Sequence, residues 1–486
     1  MRRVLVLLGL CGCDALFGLD SLDYKADAHV DVGPDGPRTT IHGTVARRWL
    51  HQDELNQPFI EPGGFTGPSP VTARHRDGSD AAVTWSDDGT FSFEVEQGER
   101  YTVILETSLF PTEFQASTPM LALDDAILGR PDQVTPGPSA GIEWDNPDTA
   151  LPASAIRIAT TGIWSLSQPT GNPTGSGKFL LSTPTAGFVY GQKPALIDGL
   201  HHDSLWILHY ASDTVSIPNT RLLDLYSPFG PQTQAPNTTS IYNSMLNNVS
   251  RPFCLDATWN HSTDQARLAQ RHPNFTTPGG DTRLWAVPRM RELGTRVQFE
   301  LALVFGGASN GIYRFQYGNP FAYDVALLDN NYVSRTLAGV GTISAVAQYL
   351  DIIAPQTSCV PHGPLSLVAP LPYALTLNGF KLTDNLALAV DGVTPIELKW
   401  SIDPDTANTV SAVSLIENTK VVRTYYTLDS VVYLSPKDLS PNVQYRVSVG
   451  SYIGHWPNAA AGDFFTRSYP LAVGAVNSGL FTISTQ

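Results

Sequence analysis

The string DGTFSFEVEQGERYTVILE at positions 88–106 constrains the fold more than any other part of the chain. Phe91, Phe93 and Val95 recur every second residue, and so do Tyr101, Val103 and Leu105. Alternate residues of a strand share one face, so each run carries an apolar side and a polar side. Asp87-Asp88-Gly89-Thr90 before the first run, and Gln97-Gly98-Glu99-Arg100 between the two, supply the residues that tight turns demand. A helix would scatter these apolar positions around its axis, so the segment is expected to form antiparallel strands over a buried face.

The rest of the chain has the same character. Gly (40) and Pro (37) are abundant, Tyr (18), Phe (20) and Trp (9) are plentiful, and charged residues make up only 15%. Many turn residues and aromatics with few charges favour short strands over long helices. A chain of 486 residues, 42% hydrophobic, is too long for one core and divides into about three domains.

The N-terminus reads MRRVLVLLGLCGC. Arg2 and Arg3 form a charged end, and residues 4–10 are an apolar run far short of the ~20 residues that span a bilayer. This is the pattern of an export signal. It resembles the signal of bacterial lipoproteins, which places Leu three residues before Cys and a small residue directly before it. Leu10, Gly12 and Cys13 match, whereas lipidation at Cys11 would put Leu10 at the cut. The resemblance implies removal of residues 1–12, lipidation of Cys13 and a membrane partner through the lipid anchor. The expected location is the bacterial cell envelope, periplasmic or surface-exposed. A soluble secreted product is the other reading. Residues 13–37 form the lipidated tether, in which Asp20, Asp23, Asp27, Asp31 and Asp35 leave too little apolar surface to fold alone.

The net charge of −15 argues against a phosphate-tracking surface, so no nucleic-acid partner is expected. Of four cysteines, Cys254 and Cys359 remain beyond the signal and the anchor. Outside the cytoplasm they can oxidise to a disulfide, the other reading being two separate buried thiols. No spacing of Cys and His suggests zinc.

Residues 38–110 read as a small β-sandwich. Gly43-Thr44-Val45, Asp88-Gly89-Thr90-Phe91, and Gly98 with Tyr101 resemble the carboxypeptidase regulatory-like, transthyretin-like domain, an accessory module that implies no catalysis. Residues 47–70 form a longer loop than that family would have. Residues 111–360 resemble no family and read as a larger β-rich domain, with strands at 163–166, 179–181, 205–208 and 297–303. A helix is expected near 263–271, with Ser262 and Gln265 as a capping box and Pro273 as its stop. A further helical turn is expected at 344–350. Residues 361–486 read as another sandwich, with Trp400 facing inward. Leu439-Ser440-Pro441 feeds a strand at Tyr445, whose phenol can pin the corner. This region resembles bacterial Ig-like domains of the S-layer type and fibronectin type III. Gly454-His455-Trp456-Pro457 stands in place of the usual Ig-like ending. Residues 479–483 read as an edge strand. The expected fold class is therefore all-β, with tandem β-sandwich domains after a lipoprotein signal and a short tether.

No catalytic or metal residues are assigned from sequence, and no cofactor is expected. Asp198, His201, His202, Asp203 and His209 carry metal-ligand chemistry. Adjacent histidines in a strand point to opposite faces, however, and a polar loop explains the group better. Asp403, Asp405 and Asn408, or Asp324, Asp329, Asn330 and Asn331, offer oxygen ligands without EF-hand spacing, and turn chemistry explains both. Residues 174–179 lack the first Gly position and the hydroxyl of a phosphate loop. The nine tryptophans, Trp49, Trp85, Trp144, Trp164, Trp206, Trp259, Trp285, Trp400 and Trp456, are more simply core than sugar platform. The expected function is a structural or binding module with a protein or polysaccharide partner. The alternative is an exported hydrolase acting from the middle domain.

Overall fold

The computed structural model describes residues 37–485 except 53–57, 107–110, 129–140, 146–155, 161–177, 182–202, 214–219, 233–238, 243–246, 276, 279–281, 290–300, 306–309, 321–323, 338–340, 364–366, 383–385, 391–393, 404–408 and 418–419. The signal, Cys13 and the tether through residue 36 lie outside the described residues, as does the strand expected at 163–166. The fold is all-β, in tandem sandwiches, with a single α-helix, His261–Arg271, among the described residues. No described helix is long and apolar enough to cross a membrane.

The first sandwich follows from its alternation. Arg38–Gln52 pairs antiparallel with Thr90–Glu96 and parallel with Met120–Leu128. The odd-numbered faces Ile41, Val45, Phe91, Phe93 and Val95 are buried, as are Tyr101, Val103 and Leu105. Each such side chain contributes roughly 1.5–3 kcal/mol of transfer free energy. Gly43 stands opposite Phe91, and a Cβ there would run into the Phe91 ring, so the ring lies where only a glycine leaves room. Two features differ from the expectation. The long loop at 47–70 contains a strand, Pro58–Gly63, that pairs back onto the end of Arg38–Gln52. Nor does the sandwich stop at residue 110, because Pro111–Ala116 pairs with Tyr101–Glu106.

In the C-terminal sandwich, Ile396–Asp403 carries Trp400 into the core at 2% exposure. The backbone N–H of Ser440 donates to the Tyr445 hydroxyl at 2.9 Å, forming the pinned corner. Phe481–Thr485 is no edge strand. It runs parallel to Leu386–Val390 and antiparallel to the start of Gln444–Ile453, with Phe481 fully buried. Residues 344–350 are not a helical turn but part of the strand Gly341–Ile353, paired along its whole length with Asp324–Leu337. Ala345, Ala347 and Leu350 suit a helix locally, but a partner strand on each side satisfies the backbone instead.

The three sequence regions are fused rather than strung. Gly341–Ile353 pairs with Leu471–Asn477, joining the middle region to the C-terminal sandwich. Lys420–Thr427 pairs in parallel with Pro111–Ala116, joining the C-terminal sandwich to the N-terminal one. One apolar core contains Phe91 and Phe114, Leu328 and Leu350, and Tyr426 and Trp456 together. Charged groups reinforce the seam. Asp124 accepts from Arg48 at 2.5 and 3.0 Å and from Arg467 at 2.7 Å. Arg74 and Arg423 both reach Asp438 at 3.1 Å, and Arg423 also donates to the buried Glu113. Gln115 exchanges hydrogen bonds with the backbone of Tyr433.

Candidate functional site

The helix His261–Arg271 positions a cavity among the described residues. Its apolar stripe is broken by a carboxylate. Asp264 and Leu268, one turn apart, are its buried residues, and Leu268 enters the C-terminal core. The helix packs on Asp324–Leu337, Gly341–Ile353 and Leu371–Leu377. The expected Ser262–Gln265 capping box does not form. The Ser262 N–H donates to Asn310 Oδ1 at 3.3 Å, and the Gln265 amide donates to Thr282 at 3.1 Å. The helix ends at His272, ahead of Pro273. Arg267 donates to the carbonyls of Ala369 at 2.7 Å and Asp403 at 3.1 Å, tying the helix to the C-terminal sandwich.

The cavity has a volume of about 230 Å³. Thr258, Asn260, Thr263, Asp264, Arg267, Asp329, Tyr349 and His362 line its polar side, and Leu284, Leu327, Leu367 and Val368 its apolar side. Asp264 Oδ1 accepts from the Tyr349 hydroxyl at 2.7 Å and from Arg267 at 3.0 Å. Asp329 Oδ1 accepts from the Trp259 indole at 2.9 Å and from the Asn331 amide at 3.0 Å. No donor among the described residues reaches Oδ2 of either carboxylate. Burial pushes the Asp329 carboxyl up to about 7, against the pull of the Trp259 bond and helped by the negative charge of Asp264. Burial likewise raises Asp264, partly offset by Tyr349 and Arg267. A carboxyl that holds its proton near neutrality in a cleft, as Asp329 does, is suited to proton transfer, or to a ligand that restores the lost solvation.

The residues singled out by sequence fare unequally. Asp198, His201 and His202 lie outside the described residues, and Asp203 and His209 fall on the strand Asp203–Asp213. Residues 174–177, Asp405 and Asn408 also lie outside. Asp403 is held by Arg271 at 2.7 Å. Asp324, Asp329, Asn330 and Asn331 do not form a turn. They sit on a 14-residue strand, where alternation sends Asp329 and Asn331 to one face and Asn330 to the other, bonded to Gln348. Cys254 and Cys359 are joined in a disulfide across a sequence separation of 105. Asp256 lies beside the bridge, and both its oxygens are held by Arg314 at 2.7 Å. Trp259, Trp400 and Trp456 are fully buried, and Trp49, Trp85 and Trp285 partly so, which leaves no exposed tryptophan among the six whose side chains are described.

Sequence reading missed Asp264 and Tyr349 as a pair. They lie 85 residues apart, and treating 344–350 as helical hid the direction of Tyr349. A usable signal was present: a carboxylate one turn before Leu268 on the buried face of an amphipathic helix.

No protein-family model matches this chain, and no curated protein matches its sequence. Among solved structures it shows a distant likeness to the N-terminal four Ig domains of Dscam1 isoform 8.4. The identity there is 8%, over 93% of this chain and 100% of that chain, at a TM-score of 0.13. The FN1–FN3 domains of chicken CNTN1 match at 9% identity over 90% and 99%, at a TM-score of 0.14. Drosophila N-cadherin EC1–4 matches at 8% identity over 91% and 99%, at a TM-score of 0.13. Scores of this size carry no argument, and the sandwich class rests on the sheets themselves.

Proposed function

We propose that this chain is a lipid-anchored binding protein of the bacterial cell envelope, held through Cys13, whose fused sandwiches present the Asp264–Asp329 cavity to a ligand. The observation that carries this reading is the cavity itself. It is walled by elements tied into both the middle and C-terminal cores, and it keeps two carboxylate oxygens that no donor among the described residues reaches. A pre-formed pocket with a few placed polar groups on a rigid frame is the usual form of a binding site. The N-terminal sandwich, read as a regulatory-like accessory module, and the C-terminal sandwich, read as Ig-like, serve as the frame.

Membrane fractionation of the wild type and Cys13→Ser tests the anchor. The wild type is expected with the membranes and the variant in the soluble fraction, and equal partition of the two would remove the anchor from the reading. Protease shaving of intact cells then separates an outward-facing chain from a periplasmic one. The raised proton affinity of Asp329 favours a second reading, an exported hydrolase in which Asp329 is the general acid. Turnover abolished by Asp329→Asn with ligand binding retained would select that reading.

A further inference from the structure

The chemistry of the cavity wall selects a ligand class, and this step rests on the binding reading above. The charged groups of the wall are two carboxylates and one guanidinium, and its other donors include the hydroxyls of Thr258 and Thr263, the Asn260 amide and the His362 ring, which faces Asp351 at 3.7 Å. Asp264 and Asp329 each spend Oδ1 on two donors and keep Oδ2 clear of any described donor. The single lining guanidinium, Arg267, gives NH1 to Asp264 and NH2 to two backbone carbonyls. The Tyr349 hydroxyl is likewise committed to Asp264. An anionic ligand would meet two carboxylates, with the one lining guanidinium already committed elsewhere. A bare metal ion fits poorly as well. Among the described residues, Cys254, Asp256 and Cys359 form the one group whose ligating atoms approach within 4.8 Å of one another, and it does not include the cavity carboxylates. Two carboxylates in a mixed wall suit a cationic head with an apolar body behind it. Leu284, Leu327, Leu367 and Val368 supply an apolar wall for that body, in a volume of about 230 Å³.

We propose that the cavity binds a small primary ammonium compound, its –NH3⁺ donating to Oδ2 of Asp329 and Asp264 and its short aliphatic body lying against the leucines. An ammonium offers three donors and no acceptor, which matches the open oxygens of the two carboxylates. Charge-assisted bonds of this kind are roughly twice as strong as neutral ones.

The test is titration calorimetry of the full chain with three probes of one shape: isopentylammonium, isopentanol and isovalerate. The ammonium is expected to bind and the carboxylate to show no heat. Asp329→Asn, which keeps an acceptor for Trp259 and Asn331, is expected to weaken ammonium binding by roughly ten- to a hundredfold. Leu327→Phe, which fills the apolar side, checks that the heat arises in the cavity and serves if Asp329→Asn unfolds the chain. Isovalerate or isopentanol binding at least as tightly as the ammonium, with Leu327→Phe abolishing it, would overturn the ligand class and leave the cavity as a binding site. Ammonium binding unchanged in both variants would overturn the placement. Absence of heat with all three probes would overturn the ligand class and the binding reading together.

Discussion

Asp329→Asn should make the protein more stable, and more so as the solution becomes alkaline. The Asp329 carboxyl sits at about 7 in the fold against 3.8 for the free group, chiefly because burial disfavours its charge. Below both values the folded and unfolded chains are equally protonated at this site. Between them the fold keeps a proton that the unfolded chain has released, so stability falls as pH rises, and above about 7 the loss is complete. At 1.36 kcal/mol per unit the loss is at most about 4 kcal/mol, and on the order of 2 kcal/mol once the fold relaxes around the charge. Roughly two-thirds of it develops above pH 5. The amide retains an acceptor for Trp259 and Asn331 and also relieves repulsion by Asp264. Urea unfolding of both proteins, followed by tryptophan fluorescence, should therefore show the stability advantage of the variant larger by about 1 kcal/mol at about pH 8.5 than at about pH 5. An advantage that is the same at both pH values, or a variant that loses more at high pH, would refute the burial argument.

Other perturbations test the seam and the frame. Arg423→Met leaves the buried Glu113 with less compensation and should cost about 3–5 kcal/mol, read as a lowered urea midpoint with earlier proteolysis between the N- and C-terminal sandwiches. Gly43→Ala forces the Phe91 ring aside and should cost about 1–3 kcal/mol in the same unfolding assay. Reducing Cys254–Cys359, which closes a sequence separation of 105, should remove up to about 4–5 kcal/mol, seen as a lower melting temperature with reductant that a Cys254→Ala/Cys359→Ala variant no longer shows. Tyr445→Phe deletes the acceptor for the Ser440 N–H and should cost about 1 kcal/mol, with faster amide exchange at Ser440.

What the chain determines locally can be read from it directly. Phe91, Phe93 and Val95 alternate, so they share a face whatever the surroundings, and a glycine opposite Phe91 answers to the same pleat. Tyr445 pins a corner only five residues away, within reach of short-range pattern. Periodicity says which side of a strand is buried but not which strand lies beside it, because backbone hydrogen bonds are alike in every pairing. The parallel union of Lys420–Thr427 with Pro111–Ala116, and the seating of Gly341–Ile353 between two strands, were therefore decided by tertiary packing. The cavity follows from the same cause. Asp264 comes from a helix, Asp329 and Tyr349 from paired strands and Trp259 from another sheet, and they meet only because those elements close on one another. Their proton affinities arise from that burial, a property that none of the residues carries alone.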